Sequence, residues 1–426
     1  MQLTVFLQAL GYLFQLVSFF LFAKLLGSDN QGILSIFRAT GQIIASLIWF
    51  GLPGGIIYFV GKDRNLFYPV IRNCLRISLI VFPLLILILC TFPMDKFPKI
   101  FLLGDYIPYL IIFIIFLSYL AIFETSILSI QKYTYYNLFT FGAGVIIFVF
   151  AIVIWFMPYG YNKLNLAMLA YLATYGLMFM YGAILVSNEK NKINARGIKQ
   201  SFWEQFKVGF RGFISSIASL LLFRLDLFLV GYFLSVKEVG IYSIALFSIE
   251  FFTKIPAWSA AVLTPMVASN ERNHIKRTVY LFYSAIIITL LLGLFLILLL
   301  VTFPNIISHL IGKDFTGVET CMLLLLPRVI MQSGVVILAA NLAGKGYPWY
   351  HPIGCTIPLV MLVLLDIYLI PILGINGAAL GNSLAYISAA IIFWLGFIKY
   401  NDHNENISLK TYWYEVRGYL HVRLSV

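Results

Sequence analysis

The residues of this chain that could do chemistry are charged side chains embedded in long apolar runs. The run LLFRLDLFLVGYFL at 221–234 carries Arg224 and Asp226 near its middle. Residues two apart on a helix are rotated by about 200°, so these two side chains point to opposite sides and cannot satisfy each other well. Each of them therefore needs another helix, water or a ligand.

An arginine in such a run indicates recognition of an anion. Its planar guanidinium donates two parallel hydrogen bonds, which suits a phosphate or a pyrophosphate. We predict that Arg224 contacts substrate together with Arg38, Arg328 and Lys254, which also lie in or near apolar runs. An interhelical ion pair is the structural alternative. For Arg38 a further alternative is a side chain that extends to the polar end of its run.

The acidic side chains in the same runs are predicted to couple ion movement or to join helices, and they are Asp226, Glu250, Glu124 and Asp366. Glu250 precedes Lys254 by four residues, the favourable order for an ion pair on one helix face, so pairing competes with substrate contact there. Asp366 has no cation close by in sequence, and we expect it to face Arg328 or Arg224 from another helix.

The elements that must hold these charges are membrane-spanning helices. The chain is 61% hydrophobic and only 11% charged, with a mean hydropathy of +0.94, whereas soluble domains carry about 25% charged residues. Its apolar runs are about 20 residues long, enough to cross a hydrocarbon core of roughly 30 Å. A charge at the bilayer centre costs at least ~2.5–3.5 kcal/mol, so the charged residues should face protein or water. The sequence predicts an all-α polytopic membrane protein.

About twelve spans are predicted from the apolar runs and the breaks between them. The first lacks a preceding Lys or Arg and a small-residue cleavage site, so we interpret it as a membrane helix and not a signal peptide. The predicted spans are 3–23, 33–58, 74–93, 108–130, 138–157, 165–187, 209–234, 240–268, 279–302, 319–343, 352–373 and 376–398.

The distribution of Lys and Arg predicts the orientation. One set of alternate loops, with the C-terminal tail, carries most of these residues, so that side should be cytoplasmic and both termini should lie inside. The net charge of +12 comes mostly from these Lys and Arg residues in the loops predicted to be cytoplasmic. Because the charges are divided among short loops, we predict no nucleic-acid binding. The opposite side carries only Lys24, Lys96, Lys99, Lys163, Lys237 and Lys313.

The sequence contains no pattern typical of an enzyme or a metal site. The four cysteines lack metal-ligand or redox spacing, and no phosphate-binding loop, dinucleotide fingerprint or Ser/His/Asp arrangement is found. The loops are also too short to hold a catalytic domain. We therefore predict no catalytic residue, no metal and no cofactor.

A repeat organises the chain. Residues 26–36, LGSDNQGILSI, and residues 234–244, LSVKEVGIYSI, match at an offset of 208. The offset is close to half the chain length, and both copies lie in predicted loops on the outer side of the membrane. This arrangement predicts two six-helix lobes related by a pseudo-twofold axis along the membrane normal. The predicted division is an N-terminal lobe at 1–187, a cytoplasmic linker at 188–208, a C-terminal lobe at 209–400 and a cytoplasmic tail at 401–426.

Several motifs of this chain resemble those of one transporter family, and they are LLGSDNQGILSIF, GLPGGIIYFVGKD at 51–63, FRLDLFLVGYFLSVKEVGIYSIA at 223–245, LIGKDF at 310–315 and GINGAALGNSLAY at 374–386. The chain resembles the Wzx-type O-antigen and polysaccharide flippases of the multidrug/oligosaccharidyl-lipid/polysaccharide exporter superfamily over nearly all of residues 1–400.

That resemblance implies a V-shaped pair of lobes around a central cavity. It implies translocation of a polyprenyl-pyrophosphate-linked oligosaccharide to the outer leaflet of the inner membrane by alternating access. The implied partners are this glycan, membrane lipids, H⁺ or Na⁺ if transport is ion-coupled, and polysaccharide assembly proteins around a monomer.

Two other functions compete with this one. A multidrug cation antiporter of the same superfamily would typically carry acidic residues in its first helix, whereas residues 3–23 hold no charge. A membrane polymerase or glycosyltransferase would usually expose a sizeable outer loop, and no loop predicted here exceeds about 20 residues.

Overall fold

The computed structural model describes residues 2–91, 104–158, 162–192, 202–268, 274–304 and 306–401. Within these ranges the regular structure is helical and contains no strand, and eleven helices are long and apolar enough to cross a membrane. The predicted all-α polytopic class is confirmed. The helices are α1 Gln2–Ile48, α2 Leu52–Lys62, α3 Phe67–Thr91, α4 Ile107–Ser129, α5 Tyr133–Trp155, α6 Lys163–Lys192, α7 Phe202–Phe233, α8 Val236–Ala268, α9 His274–Thr302, α10 Ile306–Ile311, α11 Val318–Gly344, α12 Tyr350–Leu373 and α13 Ile375–Tyr400.

The first two predicted spans form one broken helix, α1. The sequence predicts a loop between residues 24 and 32, but the only non-helical residue there is Gly27, with φ 70° and ψ 175°. A residue with a Cβ rarely adopts this conformation, so glycine lets the chain change direction at a single position. The segments before and after Gly27 are each about 30 Å or slightly more in length, enough for one crossing apiece.

The second predicted span, 33–58, is also divided. Helix α1 ends at Ile48, and α2 begins at Leu52 after a turn in which Gly51 has φ 82°. Pro53 lies at the start of α2, where its missing N–H leaves no helical hydrogen bond unmade.

The described chain forms two compact units. The first comprises Met1–Ile244 with Leu310–Phe315, and the second comprises Ala245–His309 with Thr316–Val426. Helix α7 lies entirely within the first unit. Of the linker and the tail predicted from the sequence, residues 193–201 and 402–426 lie outside the described residues.

Close glycine contacts join the helices of the first unit. A side chain at Gly144 of α5 would collide with the backbone of Gly11 in α1, so these helices approach to backbone distance. Helix α7 approaches α2 in the same way, because Gly51 and Gly209 each lie against the other's carbonyl group. Gln205 of α7 is fully buried beside this contact and accepts a hydrogen bond from Asn73 of α3 at 3.2 Å.

The two copies of the repeated motif pack against each other within the first unit. Gly32 lies against the carbonyl of Val236, and its counterpart Gly240 lies against the carbonyl of Ser28. The counterparts Ser35 and Ser243 are joined by a hydrogen bond of 2.9 Å between their hydroxyls. Equivalent residues thus meet around a local twofold relation.

The second unit has its own apolar core between α8, α9 and α11. The short helix α10 is tied to α11 by Glu319, whose carboxylate accepts hydrogen bonds from the backbone N–H groups of Ile307 and Ser308, both at 3.1 Å. The core residues are Ala260, Leu263, Val267, Ala285, Ile337 and Ala340.

Candidate functional site

Arg38 is a predicted site residue of the first unit, and it lies in the segment of α1 that follows Gly27. Its guanidinium carbon lies 4.9 Å from the ring centre of Tyr171 and 5.2 Å from that of Phe19. Arg38 also donates a hydrogen bond to the Tyr171 hydroxyl. The cation is therefore held between two aromatic rings within the unit, an arrangement that stabilises a desolvated guanidinium.

Arg224 reaches the same region from α7. Its Nε donates a hydrogen bond of 3.1 Å to the side-chain oxygen of Gln42 in α1. The guanidinium carbon is 4.5 Å from the ring centre of its neighbour Phe223.

Tyr175 of α6 marks where the charges converge. This half-buried tyrosine interacts electrostatically with Arg38, Arg224 and Glu124. Glu124, on α4, also interacts electrostatically with Tyr136 of α5. The fold thus brings together three of the eight predicted site residues, two cations and one carboxylate, from α1, α4 and α7.

A small, partly open cavity lies beside Arg38, Tyr171 and Tyr175. Its wall combines amide, hydroxyl and phenol groups with one guanidinium and two aliphatic side chains. An arginine on a cavity wall can bind an anion with several oxygens, because its planar fork can donate two parallel hydrogen bonds. The cavity, which we call the α1–α6 pocket, is lined by Gln15, Arg38, Ala143, Ile147, Tyr171, Thr174 and Tyr175.

Asp226 lies on the other side of α7 and is fully buried. Its carboxylate accepts a hydrogen bond of 2.7 Å from the Tyr242 hydroxyl of α8 and one of 2.9 Å from the N–H of Leu227. Arg224 and Asp226 therefore contact different elements, as their rotation on the helix requires. The position of Asp226 suits a bond between helices α7 and α8.

The other four predicted site residues belong to the second unit. The Arg328 side chain of α11 is fully buried, and its guanidinium carbon lies 5.2 Å from the ring centre of Tyr386 in α13. Asp366 of α12 is also fully buried and lies against Gly381 of α13. The remaining two are on α8, where Glu250 is buried and Lys254 half-buried.

The sequence reasoning did not identify the uncharged members of the pocket. Gln15 and Gln42 are amides inside apolar runs and could have been noticed for the same reason as the charges, since each needs a buried partner. Tyr171, Thr174 and Tyr175 carried no such signal, because tyrosine and threonine are common in membrane helices as packing or interfacial residues.

Known proteins similar to this chain are flippases and related transporters. The Haloferax volcanii protein named "Probable low-salt glycan biosynthesis flippase Agl15" is 23% identical over 395 residues, which cover 86% of this chain and 76% of that protein. The solved structure of the lipid II flippase MurJ in an inward closed conformation has a TM-score of 0.69 and 15% identity, and the match covers all of this chain and 93% of MurJ.

An inward-facing multidrug-resistance MATE transporter of the MOP superfamily is equally similar in fold. Its TM-score is 0.69 at 15% identity, with 91% of this chain and 93% of the transporter covered. At such identities the two structures show a shared fold and nothing finer. The family model described as "Polysaccharide biosynthesis protein" matches residues 2–271, more than half of the chain. The chain therefore belongs to the polysaccharide biosynthesis protein family, a family of flippase-type membrane transporters.

Proposed function

We propose that this protein is a flippase that moves a polyprenyl-pyrophosphate-linked oligosaccharide from the cytoplasmic to the outer leaflet of the cell inner membrane by alternating access. The observation that carries the proposal is that Arg38 and Gln42, the hydrogen-bond partner of Arg224, lie one turn apart on the same face of α1. The two linked phosphates of such a substrate present several oxygens that the guanidinium forks of Arg38 and Arg224 can bind. The reaction is movement without a chemical step, so the protein needs no catalytic residue.

The cost of placing charges in a membrane supports an anionic substrate. Each arginine costs at least ~2.5 kcal/mol to insert at the bilayer centre, so two of them at one site suggest a compensating function. A cationic drug, the substrate of a multidrug antiporter, would be repelled by the same pair. The MATE-like fold is equally compatible with an antiporter, and the arginine pair is what favours the flippase.

The remaining predicted residues have proposed roles as well. We keep Arg328 and Lys254 as substrate contacts from the second unit, and Glu250 and Asp366 as residues for coupling or helix contact. Glu124, beside the arginines, is the proposed site of coupling to H⁺ or Na⁺. We also propose cytoplasmic termini and a monomer that works with polysaccharide assembly proteins.

The test of this function is surface-glycan assembly in a strain that lacks the native gene. We expect Arg38→Ala and Arg224→Ala each to reduce translocation about 10- to 100-fold, since a hydrogen bond to a charged group contributes ~1.5–3 kcal/mol. Arg38→Lys and Arg224→Lys should retain part of the activity, because the charge remains while the fork is lost.

Arg76→Ala is the matched control, because Arg76 is an exposed arginine of the same unit and its loss should leave assembly unchanged. Membrane abundance is measured for every variant. Full glycan assembly by an abundant Arg224→Ala protein would contradict the proposal. Intact glycan together with sensitivity to cationic dyes in the deletion strain would instead identify a drug antiporter.

A further inference from the structure

Gln42 is a neutral amide in the apolar helix α1, and the partner of its side chain is an arginine from a distant part of the chain. Its side chain is half-buried, and its oxygen accepts the 3.1 Å hydrogen bond from Nε of Arg224 in α7. The two residues are 182 positions apart in the sequence. The bond is therefore made by the packing of α7 against α1 and not by the geometry of either helix alone.

Gln42 orients Arg224 without cancelling its charge. Nε is the atom that joins the guanidinium plane to the rest of the side chain, so a hydrogen bond at Nε restricts rotation of that plane. The ring of Phe223, 4.5 Å from the guanidinium carbon, is a second uncharged contact. A carboxylate in place of Gln42 would join the two helices more strongly, because hydrogen bonds between charged groups are the stronger ones. The neutral amide instead suits a cation whose charge is needed for binding.

The place of Gln42 on α1 sets a spacing between two cations. Arg38 and Gln42 are four residues apart, which puts them on one face of the helix and about 6 Å apart along its axis. No break in α1 follows Gly27, so this spacing is rigid. Arg38 is itself held between two aromatic rings. Helix α1 thus carries one arginine and the attachment point of the other, Arg224, on successive turns.

Two cations with a fixed spacing distinguish anions by their length. A monophosphate groups its oxygens around one phosphorus atom, and a single guanidinium fork can bind two of them. A diphosphate extends over two phosphorus atoms, so it can place one phosphate at Arg38 and the other at Arg224. Because Gln42 holds Arg224 before the ligand arrives, less side-chain entropy is lost when the second phosphate binds. Gln42 should therefore matter more for a diphosphate than for a monophosphate.

We propose that Gln42 is a positioning residue that holds Arg224 at a fixed spacing from Arg38, and that this spacing makes the protein select a lipid with a diphosphate over one with a monophosphate. The proposal rests on the proposed flippase function. It deepens that function by assigning selectivity for the link between lipid and glycan to a neutral side chain that acts through Arg224.

The experiment measures binding to the full-length protein in lipid nanodiscs. The probes are a synthetic polyprenyl diphosphate and a polyprenyl monophosphate of the same chain length, both without sugar. The wild type should bind the diphosphate about tenfold more tightly than the monophosphate. Gln42→Leu should lower affinity for the diphosphate about tenfold and affinity for the monophosphate no more than about twofold, since a hydrogen bond to a charged group is lost at one of the two cations.

Gln42→Glu separates positioning from a merely structural role. The new carboxylate should pair with Arg224 and keep α7 joined to α1, so thermal unfolding should occur at the wild-type temperature or above it. The same carboxylate offsets the charge of Arg224, and affinity for the diphosphate should fall at least as far as in Gln42→Leu. Loss of affinity in a variant of undiminished stability cannot be attributed to misfolding.

Ser46→Ala is the control, because Ser46 lies one turn beyond Gln42 on α1, is exposed, and bonds only to a carbonyl of its own helix in the contact shown. It should bind both lipids as the wild type does. Equal affinity of the wild type for the two lipids would overturn the inference. So would a Gln42→Leu protein that is less stable but keeps the full diphosphate preference, or a stable Gln42→Glu protein with wild-type affinity for the diphosphate.

Failure of the underlying function has a different signature. If the wild type binds neither lipid, or if Arg38→Ala and Arg224→Ala bind both lipids as the wild type does, the anion site itself is wrong. If the two arginine variants lose affinity while Gln42→Leu keeps the diphosphate preference, the anion site stands and the positioning role of Gln42 is rejected.

Discussion

Arg224 and Asp226 lie within one turn of α7 and yet are held by different elements. Arg224 is oriented by Gln42 towards the cluster around Tyr175, whereas Asp226 is buried and bonded to Tyr242. At the residue scale, helical rotation alone predicted that they would separate. It could not predict their partners, because the partners are supplied by other helices.

The bond between Tyr242 and Asp226 should contribute measurably to stability. Tyr242→Phe removes the donor while the carboxylate stays buried, and a lost hydrogen bond to a charged group costs ~1.5–3 kcal/mol. We expect the free energy of unfolding in detergent to fall by about that amount. Tyr232→Phe, at a largely exposed position of the neighbouring helix α7, should leave it unchanged, and equal stability of the two variants would contradict this role for Asp226.

At the scale of a single helix, the sequence predicted that α7 exists but not how it packs. Its existence followed from an apolar run, but its packing depends on Gln205 and Gly209, which are unremarkable in the sequence. Apolar periodicity cannot reveal which helix lies at backbone distance from which other. The single-residue break at Gly27 was missed for a related reason, since a polar stretch such as GSDNQG indicates a loop as readily as a capped helix start.

The contact of Gly209 with Gly51 predicts that Gly209→Ala lowers stability, although helix propensity and packing act on this substitution in opposite directions. Alanine is favoured over glycine inside a helix by about 1 kcal/mol, so Gly209→Ala should be stabilising if the position were open. A methyl group there would collide with the backbone of Gly51, and overpacking costs ~1–3 kcal/mol. We expect a net loss of stability on thermal unfolding.

Gly61 of α2 is the matched control, because no atom lies within 4 Å of an added Cβ there. Gly61→Ala should be neutral or slightly stabilising. If Gly209→Ala were the more stable of the two variants, α7 would not be packed against α2 in the way described.

At the scale of the whole molecule, the sequence predicted most where the chain repeats itself. The match between 26–36 and 234–244 indicated internal symmetry, and the structure brings the two copies into contact through Ser35 and Ser243. The α1–α6 pocket was not predictable in this way. It depends on how three separate helices pack, and its tyrosines and threonine carry no charge to mark them.

The bond between Ser35 and Ser243 offers a test of alternating access. The two hydroxyl oxygens are 2.9 Å apart, so cysteines at both positions are close enough to form a disulfide with modest adjustment. If the motifs must separate during transport, oxidation of the Ser35→Cys/Ser243→Cys protein should abolish glycan translocation, and a reductant should restore it.

The single variants Ser35→Cys and Ser243→Cys provide the controls and should remain active under oxidising conditions. The disulfide is verified by mass spectrometry before transport is measured. Normal translocation by the cross-linked protein would show that this contact stays closed throughout the cycle.

The reciprocal contact of Gly32 and Gly240 also bears on how the gene could change over time. Each glycine lies against a backbone carbonyl from the other copy of the motif, so a side chain acquired by either copy would push both apart. A larger side chain at either position would therefore collide with the backbone of the other copy, whereas helix surfaces that face lipid accept many apolar replacements. The repeat therefore stays recognisable at this contact for a physical reason, because the two copies of the motif constrain each other's sequence there.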